Sequence, residues 1–210
     1  PVWPVPSISS APATFTVIVP ALKFVRVSVV IAASCRMVRL LADTDLDLYL
    51  ALYTDISVMR YIAEAMTVEE ATATFAKAVK HNADPAARAR YWHLSHRRTE
   101  QGLGLAALVR DSAVRTRGEL GLMLLPEAQH TGVGIQALTA VVDGVLSQCW
   151  ALDINVLLGR HATDNISAGR LVEHLGFDHL GIDTPNSTGW LITAEAWATR
   201  LAKRDKRPQH

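Results

Sequence analysis

Residues 119 to 145 set an apolar run, a glycine-bearing turn and an amphipathic segment in direct succession, and few folds accommodate that order. Glu119-Leu120-Gly121-Leu122-Met123-Leu124-Leu125-Pro126 is apolar enough for a buried strand, and Pro126 removes a backbone donor where pairing must stop. Beyond the turn Gln129-His130-Thr131-Gly132-Val133-Gly134, the residues Ile135, Leu138, Val142, Val145 and Cys149 recur at helical spacing, which predicts a helix. The turn therefore delivers the chain into a helix N-terminus, where N–H groups are unpaired and the potential is positive. Gly132 and Gly134 let a bulky anion reach those groups without meeting a Cβ, so a pyrophosphate fits; a plain strand-to-helix connection has the same glycine spacing.

The other elements assemble around this unit. A strand near Met37 to Leu41 precedes a helix from about Thr44 through Leu48 and Leu52, and Thr67-Val68-Glu69-Glu70 forms a capping box for a second helix ending before Pro85. Arg90 to His96 and Gly104 to Arg110 flank Thr99-Glu100-Gln101-Gly102 as an antiparallel hairpin that leads into the Glu119 strand. After the glycine turn come a strand at Ile154 to Leu158, a short helix, and strands near His179 to Ile182 and Trp190 to Ile192. Strand, helix, strand from Leu120 to Leu158 is a parallel unit among hairpins. The fold class is thus α/β (α+β), a mixed, mostly antiparallel central sheet with helices on both faces.

Half of the 210 residues are hydrophobic and no linker-like run interrupts residues 37 to 200, so these form one domain, with 201 to 210 a solvated basic tail. Net charge is +1 with the basic residues scattered, which gives no general attraction to nucleic acid or to an anionic membrane. Cys35 and Cys149 are the only cysteines; Cys149 falls on the apolar helix face and is expected to be buried, and their scarcity points to a reducing, cytoplasmic setting. His93 and His96 point to opposite faces of a strand, and no metal site is expected. Residues 1 to 36 lack acidic residues and turn apolar from about Thr14. Lys23 and Arg26 break that stretch and the start is uncharged, so neither an export signal nor a membrane span fits; residues 1 to 36 are expected to be an extension outside the folded domain.

Residues 165 to 177, Asn-Ile-Ser-Ala-Gly-Arg-Leu-Val-Glu-His-Leu-Gly-Phe, read as a helix with Asn165 or Asp164 as N-cap and Gly176 as its left-handed stop. Together with Gln129 to Gly134, about thirty residues earlier, this segment resembles the GNAT family of acetyl-CoA-dependent N-acetyltransferases. In that family a Gln/Arg-x-x-Gly-x-Gly/Ala loop grips the cofactor pyrophosphate and a later Asn opens a helix ending in Leu-Gly-Phe. Val38 to Leu41, Leu52 to Asp55, Val58 to Ile62 and Leu191 to Trp197 resemble the RimJ/RimL-like branch, so the likeness spans roughly residues 37 to 200. The resemblance implies that the two central parallel strands splay apart and admit the pantetheine arm. It also implies that Leu122 and Leu124 pair their backbones with its amides, that Gln129, His130, Thr131, Gly132, Val133 and Gly134 hold the pyrophosphate, the middle residues through their N–H groups, and that Asn165 binds the arm as well as capping its helix.

Acetyl transfer to an amine needs a neutral nucleophile, a place for charge on the carbonyl oxygen, and departure of the thiolate. A primary amine is largely protonated near neutral pH, and Glu119, at the head of the strand feeding the cofactor loop, is the candidate base. Backbone N–H groups near Leu124 are candidates for the oxyanion. The tyrosine often found one residue after the motif leucine is Val172 here; a thiol with a pKa of about 8.5 can leave without full protonation, so no general acid is assigned. Ala168 stands where the RimJ/RimL-like branch frequently has Ser. The expected activity is acetylation of a primary amine, with a protein N-terminus as the first reading and an aminoglycoside, polyamine or amino acid as the alternative. A CoA-binding module without catalysis is a reading of another class. A dinucleotide-binding fold is disfavoured because hairpins precede the glycine loop. An exposed strand edge near Trp190 can pair with another subunit to form a homodimer.

Overall fold

The computed structural model describes residues 38–96 and 99–205; the expected extension at residues 1 to 36, together with Met37 and residues 206 to 210, lies outside the described residues. The chain begins with strand β1 (Val38–Leu40), a 3-10 turn at Asp43–Asp45, and helices α1 (Leu46–Tyr53), α2 (Ile56–Met59) and α3 (Val68–Ala83). The meander β2 (Ala89–Ser95), β3 (Gly102–Arg110) and β4 (Arg117–Leu124) follows, and a second 3-10 turn at Pro126–Ala128 leads to helix α4 (Val133–Leu146). The chain then runs through β5 (Val156–Ala162), α5 (Ile166–His174), β6 (Asp178–Thr184), β7 (Ser187–Thr193) and α6 (Ala194–Asp205).

The seven strands form one sheet in the order β1-β2-β3-β4-β5-β7-β6. Among the described residues only β4 and β5 are parallel neighbours, joined by a crossover that contains a helix; all other neighbouring strands are antiparallel. Each face is covered by its own helices. Tyr91, Leu105, Ala107 and Met123 pack under α1 and α3, which contribute Tyr49, Leu52, Phe75 and Ala78. Trp92, Leu94, Leu108, Leu120, Leu157 and Ile192 pack on the opposite face under Val141, Val142 and Val145 of α4 and Trp197 of α6. The alternation of these residues along each strand is the period-2 pattern of a sheet buried on both sides.

The Thr67 capping box is present: Thr67 Oγ1 accepts from the Glu70 N–H at 3.2 Å and the Glu70 carboxylate accepts from the Thr67 N–H at 2.9 Å. Three expectations are corrected. Helix α4 stops at Leu146, and Cys149 lies in the exposed loop after it rather than on the core face. Gln148, Ala151 and Asp153 take left-handed backbone there, and Trp150 fills the space instead, stacking on Trp92 at 4.8 Å and lying against Gly144, where a Cβ would come within 2.5 Å of the indole. Strand β5 begins at Val156, not Ile154, and runs on through Gly159, Arg160 and His161, polar residues held in strand form by pairing with β7 as far as Ala162↔Ser187. Trp190 is not at an edge: β7 is flanked by β5 and β6, and the open edge on that side is β6. Helix α6 runs through Lys203 to Asp205.

Candidate functional site

The parallel pair β4–β5 is joined over only three positions, Arg117↔Val156, Gly118↔Leu157 and Glu119↔Leu158. Both strands continue beyond that point, β4 to Leu124 and β5 to Ala162, each held by its other neighbour, so they part like the arms of a V. The direction of the backbone groups along β4 follows from its bonds. Arg117 O accepts from Asp111 N at 2.9 Å and Leu125 N donates to Leu103 O at 2.9 Å, both toward β3, while Thr116 O accepts from Asn155 N at 2.8 Å toward β5. Successive residues alternate, so the N–H and C=O groups of Leu122 and Leu124 face the opening. An extended ligand with amides of its own could add to that edge as a strand would.

Gly132 and the start of α4 stand at the open end. Gln136 N donates to Gly132 O at 3.3 Å as the first bond of the helix, which leaves the N–H groups of Val133, Gly134 and Ile135 ahead of the ladder. Gly132 has φ +83°, a conformation that favours glycine, and a Cβ built there meets nothing within 4 Å, so the approach to these N–H groups is clear. Gly134 answers a different need: a Cβ there would lie 3.2 Å from the Leu124 side chain and 3.8 Å from Leu171, so its bareness lets α4 sit close to the strand end and α5. His130 takes left-handed backbone at φ 60°, and the Thr131 hydroxyl donates to Ala128 O at 2.7 Å, which fixes the turn. The Gln129 side chain folds back and donates to Leu124 O at 3.1 Å, tying the loop to the strand edge.

Asn165 caps α5, its Oδ1 accepting from Ala168 N at 3.1 Å, and this leaves the amide NH2 for a ligand. Gly176, at φ +79°, closes that helix, and the flanking Leu175 and Phe177 are buried. Val172 packs toward Gly159 of β5 and presents no acid. His161, near the end of β5, is occupied at both nitrogens: Nδ1 donates to Ala162 O at 2.8 Å, so Nε2 is the acceptor for the Trp190 indole N–H at 2.9 Å.

Glu119 stands at the closed end of the V. Its side chain leaves the sheet on the face of α1 and α3 and retains 32 % of its exposure. Burial pushes its carboxyl above the ordinary glutamate range; the Arg160 guanidinium pulls it back only in part, and the Asp183 charge adds to the rise. Arg160 Nη2 donates to Glu119 Oε2 at 3.0 Å, while its Nη1 lies 3.1 Å from Asp183 Oδ2. Sequence reasoning missed Arg160 and Asp183, which lie 41 and 64 positions after Glu119; no local spacing signals a pairing made across strands. Among the described residues, no group of three His, Cys, Asp or Glu is placed to hold a metal ion, and no helix is long and apolar enough to cross a membrane.

A mixed sheet opened between two central parallel strands, with a bare helix N-terminus beside the opening, is the architecture of an acyl-CoA-dependent transferase. The family model described as an acetyltransferase (GNAT) domain matches residues 36–178, and the chain belongs to that family. Its acetyl donor, by family, is acetyl-CoA. Solved structures share the fold. A spermidine N-acetyltransferase from Vibrio cholerae in complex with CoA and spermine has a TM-score of 0.64 at 18% identity, covering 77% of this chain and 96% of its own. A GNAT-family acetyltransferase from Bacillus anthracis has a TM-score of 0.61 at 15% identity, covering 75% and 94%. A nucleotide-linked sugar GNAT has a TM-score of 0.65 at 12% identity, covering 80% and 92%. No curated protein sequence matches the chain.

Proposed function

We propose that this protein transfers an acetyl group from acetyl-CoA to a primary amine, with Glu119 as the base. One observation carries the reading: the opening between β4 and β5 ends at Glu119, and its other end meets the N-terminus of α4. The six residues of strand from Glu119 to Leu124 span roughly 17 Å, so an elongated cosubstrate would be held at one end and react at the other. Gly132, Val133 and Gly134, with His130 and Thr131, would bind the diphosphate through backbone N–H groups, Leu122 and Leu124 would pair with the pantetheine amides, and Asn165 would add its NH2.

Acetyl-CoA supplies the thioester: the neutral amine nitrogen bonds to its carbonyl carbon, the C–S bond breaks, the sulfur leaves as thiolate, and the second proton of the nitrogen passes to that thiolate or to water to leave a neutral amide. The chain's part is to free the amine and steady the charge. Glu119 takes a proton from the ammonium group, directly or through one water, and the upward push from burial brings its pKa closer to working pH, where a base is most effective. The Leu124 N–H group, expected from sequence to meet the oxyanion, would stand at the diphosphate end of the opening, so that role would fall to an N–H group of β4 nearer Glu119.

The acceptor reading keeps a protein N-terminal amine first, in line with the RimJ/RimL-like resemblance of the chain's two ends, and small amines as the alternative. Incubating the protein with acetyl-CoA and a panel of N-terminal peptides, polyamines, aminoglycosides and amino acids, and measuring free CoA, separates these. Tight binding without CoA release on any acceptor would instead favour a non-catalytic CoA module. On an active acceptor, Glu119→Gln is expected to lower kcat/KM by about 10²-fold, the lower range for loss of a general base, with the largest deficit on the acid side. An unchanged pH profile removes Glu119 from the reaction.

A further inference from the structure

We propose that Arg160 is a positioning residue of this site, holding the Glu119 carboxylate at the point where β4 and β5 part, and that Asp183 is the counter-ion that limits its pull. The inference rests on Glu119 as the reacting base. Its geometry stands apart from that reading.

Leu158 is the last residue of β5 paired with β4, and Arg160, two residues on, leaves the strand on the same face. Its guanidinium can then fold back to Glu119 while facing outward to β6. What lies between is Gly189 of β7, directly opposite Arg160 in the register. With no side chain on Gly189, the lane across β7 is open; a Cβ there would lie 3.7 Å from the Asp183 Cβ. Arg160 of β5 thus spans carboxylates of two other strands, 3.0 Å from Glu119 on β4 and 3.1 Å from Asp183 on β6, and its own side chain keeps only 14% of its exposure. A guanidinium so enclosed has a fixed fork, and the fork fixes the carboxylate that it meets.

The other charges near Glu119 are accounted for. Arg117, two residues earlier on the same face, is committed to Asp111 at 2.6 Å. Across the ladders Glu119 faces Val109 on β3 and Leu158 on β5, neither titratable. Arg160 and Asp183 are therefore the charges that set how easily Glu119 is protonated, and they act in opposite senses. Arg160 favours the carboxylate. Asp183 disfavours it, both by its own charge and by sharing the guanidinium.

Opposite senses give the test. Carboxyl NMR titration of Glu119 in the full chain, with no substrate present, reads the midpoint directly in Arg160→Gln and in Asp183→Asn. The midpoint is expected to move up in Arg160→Gln and down in Asp183→Asn, and to move up by less in Arg160→Lys, which keeps the charge and loses the fork. In kinetics on an active acceptor, the acid limb of kcat/KM should follow the same displacements, costing Arg160→Gln about tenfold on the acid side for each pH unit that the limb moves. Midpoints that stay put, or that move in the same direction in both variants, overturn the proposal. Midpoints that move as expected while the kinetic limb does not would leave Arg160 controlling Glu119 but take Glu119 out of catalysis, so failure of the base and failure of its positioning are told apart.

Discussion

Gly132 and Gly134 stand two positions apart and carry different burdens. At Gly134 the missing Cβ faces Leu124 and Leu171, so the residue is small for packing; at Gly132 it faces open space and the backbone is left-handed. Gly132→Ala is therefore expected to cost about 1–2 kcal/mol of stability through its backbone and, by setting a Cβ in the ligand's approach, to weaken acetyl-CoA binding less than a longer side chain would. Gly132→Glu adds a long anion to the approach and is expected to weaken acetyl-CoA binding by at least about 100-fold, the arithmetic of losing some 3 kcal/mol of diphosphate contacts. Calorimetric titration of the pair, with circular dichroism to verify the fold, checks this; wild-type affinity in Gly132→Glu would remove the loop from the site. At this scale the sequence was informative where a residue type has one conformational use, as with Gly132, Gly176 and the cap Asn165. It was silent about Arg160, because a surface-type side chain reads the same whether it is solvated or bridging two strands.

Between elements, Asp45 joins the edge of the sheet to the helical layer. It is buried in the turn before α1, accepts both arms of the Arg39 guanidinium from β1 at 2.6 Å and the Ala42 N–H at 2.9 Å, and lies 3.8 Å from His93 Nε2 of β2. Burial works to raise the Asp45 pKa, but the Arg39 bonds, the Ala42 N–H and His93 together hold it below the ordinary carboxylate value. His93 is also lowered, chiefly by burial and then by Arg39, against the pull of Asp45. Both groups bind protons more readily in the unfolded chain, so stability falls with acidification. The His93 contribution is lost as pH falls below about 6.5 and that of Asp45 as it falls below about 3.9, the values for unfolded chains. Thermal melts against pH should show both declines, and Asp45→Asn, less stable at neutral pH, should lack the lower one. Elements themselves were largely legible: the Thr67 box and the hairpin at residues 90 to 110 carry local signals. The end of α4 was not, because the helical spacing of Cys149 continued a pattern that Trp150 ends by packing on Trp92 and Gly144.

For the whole molecule the decisive feature is the parting of β4 and β5. A cosubstrate that adds to the free edge of β4 and to the head of α4 binds the native chain and not the unfolded one, so it must raise stability. At 100 times its Kd, acetyl-CoA is expected to add about 2.7 kcal/mol, which for a domain of this size is roughly 5–10 °C in Tm. Differential scanning measurements should show that rise in the wild type and its absence in Gly132→Glu. The amino-acid sequence by itself determined the order of strands and helices, the two-sided burial of the sheet and the glycine turn into α4, because these rest on periodicity, caps and backbone conformations that neighbouring residues impose. Only the tertiary structure decided that β4 and β5 pair over three positions and then separate, that β6 rather than β7 is the open edge, and that Arg160 reaches both Glu119 and Asp183 over a glycine. Those outcomes depend on which strands become neighbours and in what register, a matter of packing across the sheet that no local pattern records.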